Sequence, residues 1–266
     1  MSISDAQNIL KSKNKYSGKV DGLIGPKSLA GATSILSNEK GSFSSFSDER
    51  KIFAAAQALL NAAGFEAGYT DGYWGHNTQN AYDDWERAHT GKPALDLDRD
   101  APAASASSKT VFPRQRDIVS FYGAAGSAAA TAGKVQLPIS FVIAWNTDQK
   151  VSRFSCHKLI APTFQKVFEE AVAHYGESEY RRLRLDQFGG CYNNRKMRGG
   201  KSKSTHAYGV AVDLDPTNNQ LRWNNRQASF ARTEFIPFWN IVEAHGLVSL
   251  GRARDFDWMH FQGVRL

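Results

Sequence analysis

The chain has 266 residues, of which 41% are hydrophobic and 22% are charged, an ordinary composition for a globular protein of one or two domains. It contains no run of 18 or more apolar residues, so the sequence excludes a transmembrane helix and predicts no stable membrane insertion. The two cysteines, Cys156 and Cys191, lack CxxC spacing, which argues against a cysteine-based metal site.

The net charge of +7 is unevenly distributed along the chain. Residues 1–100 contain 11 basic and 13 acidic residues, whereas residues 101–266 contain 22 basic and 13 acidic residues. A basic half favours a polyanionic partner, such as nucleic acid, an anionic lipid or an acidic polymer of the cell envelope, although it is equally compatible with a role in solubility. The basic clusters at 181–184 and 195–198 have no interleaved aromatic array, so we expect no nucleic-acid module.

An internal repeat lies near the N-terminus. The matching positions share one offset of 50 residues: Ala6-Gln7 with Ala56-Gln57, Gly18 with Gly68, Asp21-Gly22 with Asp71-Gly72, and Gly25 with Gly75. Each copy predicts a short helix, a turn at Asp-Gly and a second helix, because glycine permits the positive φ of a tight turn.

The spacing Gly-x-x-Asp-Gly-x-x-Gly before a helix resembles the small helical peptidoglycan-binding domain attached to many cell-wall hydrolases. The resemblance covers residues 1–95 as two half-copies and implies that bacterial peptidoglycan is the partner. Tyr69 and Trp74 lie around the second turn and are candidate substrate-binding residues that could stack on sugar rings, although either also fits the core. Residues 96–111 are rich in Pro, Ala, Ser and Asp and predict a linker.

The remaining residues, 112–266, combine helical and strand patterns. Apolar residues at helical spacing predict helices over 162–175 and 235–244. An alternating pattern predicts one strand over 209–214, and a second strand is predicted over 257–261.

Two histidines and one carboxylate lie at these predicted strands. His206 precedes the first strand, Asp213 lies within it among apolar residues, and His260 lies in the second strand. An aspartate in apolar company is costly unless it is paired or bound to a metal. Two histidines and one carboxylate are a ligand set that catalytic zinc sites use, and a further carboxylate that is not a ligand can then act as the general base.

The stretch 204–213 fits the pattern Ser-x-His-x-x-Gly-x-Ala-x-Asp, and Asp257-x-x-His260 follows it. Together these motifs resemble the zinc peptidases that include VanY-type D-alanyl-D-alanine carboxypeptidases and phage L-alanyl-D-glutamate endopeptidases, and residues 192–199 resemble the endolysin branch. The resemblance covers 112–266. It implies an α+β protein in which a small all-helical N-terminal domain precedes a zinc peptidase domain with a central antiparallel sheet flanked by helices.

The same resemblance implies zinc as the cofactor, with His206, Asp213 and His260 as its ligands. Asp257 takes the place of the general acid/base. Many relatives have glutamate there, so the shorter aspartate must approach one bond closer or act differently.

Two arginines and one serine complete the implied site. Arg195 matches the arginine that steadies the substrate carbonyl or the developing oxyanion, and Arg198 is the alternative for that role. Ser204, which opens the motif, is assigned to substrate binding together with Arg198.

The resemblance implies a monomeric phage endolysin that cleaves the L-Ala–D-Glu bond of the peptidoglycan stem peptide. The N-terminus shows no secretory signal, so we expect the protein to remain in the host bacterial cytoplasm before it is released to the wall. The basic catalytic half suits the anionic polymers of the envelope. Three alternatives stay open: a D-Ala-D-Ala carboxypeptidase, a non-catalytic wall-binding protein and a nucleic-acid-binding protein, the last because of the pI of about 9.4.

Overall fold

The computed structural model describes residues 3–91, 112–198 and 200–266. The chain divides into two units, residues 1–94 and 95–266. The predicted linker over 96–111 lies outside the described residues. Within the described ranges, none of the helices has both the length and the apolar character that crossing a membrane requires.

The described part of the first unit contains four helices: α1 (Ile3–Ser12), α2 (Pro26–Leu36), α3 (Asp48–Ala62) and α4 (His76–His89). They form two consecutive helix–turn–helix copies, as the repeat predicts. Pro26 suits the first turn of α2, where a backbone N–H has no partner within the helix. The Ser47 hydroxyl caps α3 by accepting a hydrogen bond from the N–H of Arg50. Local sequence signals therefore account for the start of both helices.

A buried glutamine ties the Asp-Gly turn of the second copy to α3. The Gln57 side chain is 1% exposed, and its Oε1 accepts the N–H of Gly72 at 2.9 Å. Its amide group donates to Asp71 Oδ1 at 3.0 Å and to the carbonyl of Tyr73 at 2.9 Å. Gly72 has a φ of 73° in its turn, and a Cβ there would lie 2.5 Å from a backbone oxygen of α3. The turn therefore requires both the glycine and the amide.

The first copy repeats this arrangement with Gln7, which is 0% exposed. Its Oε1 accepts the N–H of Gly22 at 2.9 Å, and its amide donates to Asp21 Oδ1 at 3.2 Å and to the carbonyl of Leu23 at 2.9 Å. The repeated Gln and Asp-Gly positions thus belong to one polar network that each copy builds for itself.

The second unit has a six-stranded sheet in its described residues. Its strands are β1 (Gly133–Ile143), β2 (Asn146–Cys156), β3 (Gln187–Gly190), β4 (Ala211–Leu214), β5 (Val248–Ser249) and β6 (His260–Gln262). The spatial order is β2-β1-β3-β4-β6-β5. The β1–β3 pair is parallel, and the other four pairs are antiparallel. The predicted α+β class with a largely antiparallel sheet is confirmed.

Four helices accompany this sheet: α5 (Ile118–Tyr122), α6 (Ala161–Arg182), α7 (Ile236–Ala244) and α8 (Leu250–Arg254). The predicted helix over 162–175 is the first part of α6, which continues beyond a non-helical residue, Gly176, with φ 72° and ψ 154°. The predicted helix over 235–244 is α7, which begins one residue later than expected.

The core of the second unit holds β6 in place through Phe261. Its ring lies 5.9 Å from that of Phe164 and 6.3 Å from that of Phe168, both on α6, and 5.9 Å from that of Phe238 on α7. Successive side chains of a strand point to opposite faces, so the residues on either side of Phe261 face away from this cluster. Those residues are His260 and Gln262.

The predicted strand over 257–261 is wrong in its first part. Residues 257–259 form a turn, and β6 begins at His260. Asp257 has a left-handed φ of 56°, which a paired strand does not accommodate, and its N–H donates to the carbonyl of Leu221. The predicted strand over 209–214 is also shorter, because Gly209 is left-handed with a φ of 67° and pairing begins at Ala211.

We predict that Gln57→Leu lowers the free energy of unfolding of the first unit by about 2–4 kcal/mol, because it leaves buried partners in the turn without hydrogen bonds. Hydrogen exchange of the amides in residues 48–62 measures this loss locally. Asn38→Ala, which removes an exposed amide from the same unit, is the control and should change exchange little. Equal protection in Gln57→Leu and the unaltered protein would contradict the role of the network.

Candidate metal centre

The two central antiparallel strands bring two of the predicted ligands together. Asp213 on β4 and His260 on β6 are direct cross-strand partners, a position in which Cβ atoms lie about 4.5–5.5 Å apart. The third, His206, lies in a short 3₁₀ helix, Thr205–Tyr208, that leads into β4. Sheet register and a tight preceding turn therefore assemble a group from residues 54 positions apart in sequence.

The donor atoms of this group converge on one point. His206 Nε2 lies 3.2 Å from Asp213 Oδ2, and His260 Nδ1 lies 2.9 Å from Asp213 Oδ1. The two inward nitrogens, His206 Nε2 and His260 Nδ1, are 3.1 Å apart. Tetrahedral ligands at zinc–nitrogen distances of about 2.0–2.1 Å would be about 3.3 Å from one another. The spacing of the three side chains therefore fits a single tetrahedral metal ion.

A hydrogen bond from Nδ1, the ring nitrogen that faces away from the group, fixes the position of one hydrogen on His206. Its Nδ1 lies 2.6 Å from the carbonyl oxygen of Cys191, which can only accept, so Nδ1 carries the hydrogen and donates it. In the neutral ring the inward Nε2 then carries the lone pair that a metal can take, whereas in the protonated ring it carries a second hydrogen that it donates to Asp213. A metal-binding histidine commonly donates its other ring N–H to a carbonyl or carboxylate in this way.

Asp213 brings a negative charge to the group. Burial raises the pKa of its carboxyl, but the charges of His206 and His260 and their hydrogen bonds outweigh burial and hold that pKa well below its usual range. Asp213 is 2% exposed, and the histidines are 5% and 1% exposed. A buried carboxylate facing two imidazole nitrogens matches the donor chemistry of zinc, and the three residues could hold a metal ion.

Gly209 lets the chain pass tightly between His206 and Asp213. Its φ is 67°, and a Cβ built there would lie 2.0 Å from the carbonyl oxygen of Ala130. Its own carbonyl accepts the N–H of His157 at 2.8 Å. The glycine in the motif is therefore required by backbone conformation and by close packing.

Ser204 positions the His206 turn. It is 0% exposed, and its hydroxyl accepts the N–H of His206 at 3.4 Å as the cap of the short helix. Its own N–H donates to the carbonyl of Arg195 at 3.1 Å. The structure thus gives Ser204 a structural contact, and its assignment to substrate binding stays a prediction.

The pairing of Ser204 with Arg195 belongs to a hairpin that contains both candidate arginines. Arg195 lies opposite Ser204, and Ser204 is two residues before His206 in the sequence. An antiparallel bridge between Lys196 and Lys203 extends the pairing. Arg198 lies in the turn of the hairpin. Both arginines are half-buried. The backbone pairing therefore ties Arg195 to the segment that carries a metal ligand.

A backbone hydrogen bond ties Asp257 to the metal-ligand candidate His260. Its carbonyl accepts the N–H of His260 at 3.0 Å, and its N–H donates to the carbonyl of Leu221. The residue is 3% exposed. Two backbone hydrogen bonds thus fix the predicted general acid/base in the turn that delivers His260.

The two aromatic candidates of the first unit differ in exposure. Tyr69 is 88% exposed, whereas Trp74 is 7% exposed and packs against Phe53 and Tyr82. The indole N–H of Trp74 donates to Gln79 Oε1 at 2.9 Å. Of these two, Tyr69 presents a ring face to solvent, and Trp74 contributes to the core.

Sequence reasoning did not identify two groups that contact the histidines. Cys191 contributes its backbone carbonyl, which no side-chain pattern reveals, while its thiol and that of Cys156 are free and buried. Burial raises the pKa of Cys156 to about 12 and raises that of Cys191 as well. Gln262 contacts His260, and its position two residues further along the same strand was the available signal.

Residues 198–263 match the family model described as D-alanyl-D-alanine carboxypeptidase. The matched segment includes His206, Asp213, Asp257 and His260, and it leaves the first unit outside. No curated protein and no solved structure matches the chain. The family match and the convergent group together support a metallopeptidase that acts on peptidoglycan.

We predict that zinc binds the protein tightly and raises its melting temperature, since a ligand at 1,000 times its Kd stabilises the folded state by about 4 kcal/mol. His206→Ala should abolish tight binding, and a chelator should lower the melting temperature of the unaltered protein but not that of His206→Ala. His174→Ala removes an exposed imidazole and is the control. Calorimetric titration and thermal denaturation give both values, and tight zinc binding by His206→Ala would refute the ligand assignment.

Proposed function

We propose that the protein is a zinc peptidase that cuts the stem peptide of bacterial peptidoglycan between L-Ala and D-Glu, as phage endolysins of this type do. The observation that carries the proposal is the convergence of His206, Asp213 and His260 within the segment that matches the family model. Their separations of 2.9–3.2 Å suit ligands of one metal ion.

In this proposal His206 Nε2, His260 Nδ1 and the Asp213 carboxylate hold zinc. Zinc held there would supply Lewis-acid chemistry, polarising the scissile carbonyl and making water a better nucleophile at neutral pH. Asp257 accepts the proton of the attacking water and later delivers it to the leaving amine. Its support is the rigid turn that joins it to His260.

Arg195 is proposed to donate hydrogen bonds to the oxyanion that develops on the substrate carbonyl. Support comes from its place opposite Ser204, since this pairing anchors it to the turn that carries His206. Arg198, three residues later in the same hairpin, is the alternative donor and a proposed contact for substrate.

Two features bear on which bond is cut. Residues 192–199 resemble the endolysin branch and favour the L-Ala–D-Glu bond. The description of the matched family favours a second candidate, a D-alanyl-D-alanine carboxypeptidase, which would use the same zinc group but recognise a free terminal carboxylate.

The first unit is proposed to hold the enzyme on peptidoglycan. Its support is the repeated Asp-Gly turn, and Tyr69, at 88% exposure, is the proposed sugar contact. The basic character of residues 101–266 would favour the anionic polymers around the wall. The proposal includes storage in the host cytoplasm before release to the wall.

Digestion of purified peptidoglycan followed by mass analysis tests the proposed function. We expect new D-Glu amino termini, and their loss with chelator or in His206→Ala. Release of free D-Ala instead would identify the carboxypeptidase. A protein that binds zinc and walls but releases neither product would refute both activities.

Asp257→Asn should retain zinc and lose turnover by about 10²–10⁴-fold, because general acid/base catalysis contributes a factor of this size. Asp117→Asn, at a half-exposed aspartate of the second unit, is the control. Zinc affinity and the rate of D-Glu amine release are measured together. If Asp257→Asn remained fully active, Asp257 would not be the base.

Arg195→Ala should lower the turnover number by about 10²–10³-fold, the effect of removing one oxyanion donor. Arg198→Ala should mainly raise KM if it contacts substrate outside the reacting carbonyl. Steady-state kinetics on one soluble stem peptide compares the two variants. The reverse pattern would assign the oxyanion role to Arg198.

A further inference from the structure

We infer that Gln262 is a positioning residue that sets which nitrogen of His260 faces the metal. This inference rests on the proposed zinc function. Gln262 is 3% exposed and lies two residues after His260 on β6, so both side chains occupy the same face of the sheet. Its direct partner on β4 is Ala211, whose small side chain leaves room on that face.

The orientation of the Gln262 amide follows from its second contact. One end of the amide lies 2.9 Å from the carbonyl oxygen of Val264, which can only accept a hydrogen bond. That end is therefore the NH₂ group. The other end, Oε1, consequently faces His260 Nε2 at 2.9 Å.

The orientation of the amide in turn determines which nitrogen of the neutral His260 ring carries the hydrogen. An amide oxygen accepts hydrogen bonds and does not donate them, so His260 Nε2 carries a hydrogen, and in the neutral ring that binds a metal Nδ1 carries the lone pair. This lone pair points at the group formed with Asp213 and His206. The Val264 carbonyl, the Gln262 amide and the His260 ring thus form one directional chain.

Without an acceptor at Nε2, the competing tautomer of His260, with its hydrogen on Nδ1, becomes favourable. Nδ1 lies 2.9 Å from Asp213 Oδ1, so a hydrogen on Nδ1 would be donated to a buried carboxylate, which makes a strong bond. That hydrogen would occupy the lone pair that the metal needs. Gln262 opposes this state by favouring the hydrogen on Nε2. Thr205 Oγ1, at 3.5 Å from Nε2, lies at the limit of a hydrogen bond and is a weak substitute.

The backbone performs the same task for the other histidine. His206 Nδ1 donates to the carbonyl of Cys191 at 2.6 Å, and no side-chain substitution removes that acceptor. Gln262 is therefore a side chain at which the orientation of His260 can be altered while all three ligands are retained.

The test compares zinc affinity in three variants of the full chain by competition with a chromophoric chelator. Gln262→Met removes the acceptor at similar volume and should weaken zinc binding by about 10- to 100-fold. Gln262→Glu restores an acceptor and should bind zinc within a few-fold of the unaltered protein. Gln187→Met removes another buried glutamine from the same sheet and should leave the affinity unchanged.

Nuclear magnetic resonance of the cadmium-loaded, nitrogen-labelled protein provides a readout that needs no variant. We expect coupling of the metal to His260 Nδ1 and a hydrogen on Nε2. Coupling to Nε2 would overturn the inference, even if Gln262→Met failed to fold.

The affinities separate this inference from the proposed function. Gln262→Met with unaltered affinity, or an equal loss in Gln262→Met and Gln262→Glu, would overturn the positioning role while the zinc site stands. An unaltered chain that bound no zinc would overturn both.

Discussion

Strands β4 and β6 meet with Asp213 directly opposite His260, and the metal centre depends on this register. A slip of β6 by one residue would turn His260 to the opposite face of the sheet, away from Asp213. The neighbouring pair, Val212 and Phe261, is fully buried at 0% exposure, so the same slip would also turn Phe261 out of the apolar core. Packing on one face therefore fixes the geometry of polar groups on the other.

The three ligands were predictable because their spacing belongs to a joint motif, although each residue alone is a common core residue. The β-strand around Asp213 was also visible as an alternation. The turn at Asp257 was not, because its left-handed backbone depends on a hydrogen bond to the distant Leu221. The kink of α6 at Gly176 was missed for a related reason, since the helical pattern ended there and the helix resumes beyond it.

Three buried side-chain amides perform a similar task in the described structure. Gln57 fixes an Asp-Gly turn of the first unit, and Gln262 orients a ligand in the second. Asn219, at 0% exposure, joins the carbonyl of Asp215 to the N–H of Phe230. An amide carries both a donor and an acceptor without a charge, so it can join two backbone groups without the desolvation penalty of an ion. The repeat marks Gln57 in the sequence, whereas the spacing of two residues from His260 is the one signal for Gln262, which explains why Gln262 escaped prediction.

The burial of the two cysteines has a practical consequence for experiments on this molecule. The thiolate is the form of cysteine that attacks thiol reagents, and the raised pKa values of Cys156 and Cys191 keep both groups protonated at neutral pH. A maleimide dye should therefore label a cysteine introduced on an exposed surface while sparing the native pair in the folded state. Fluorescent tracking of single molecules on cell walls becomes feasible without first removing either native thiol.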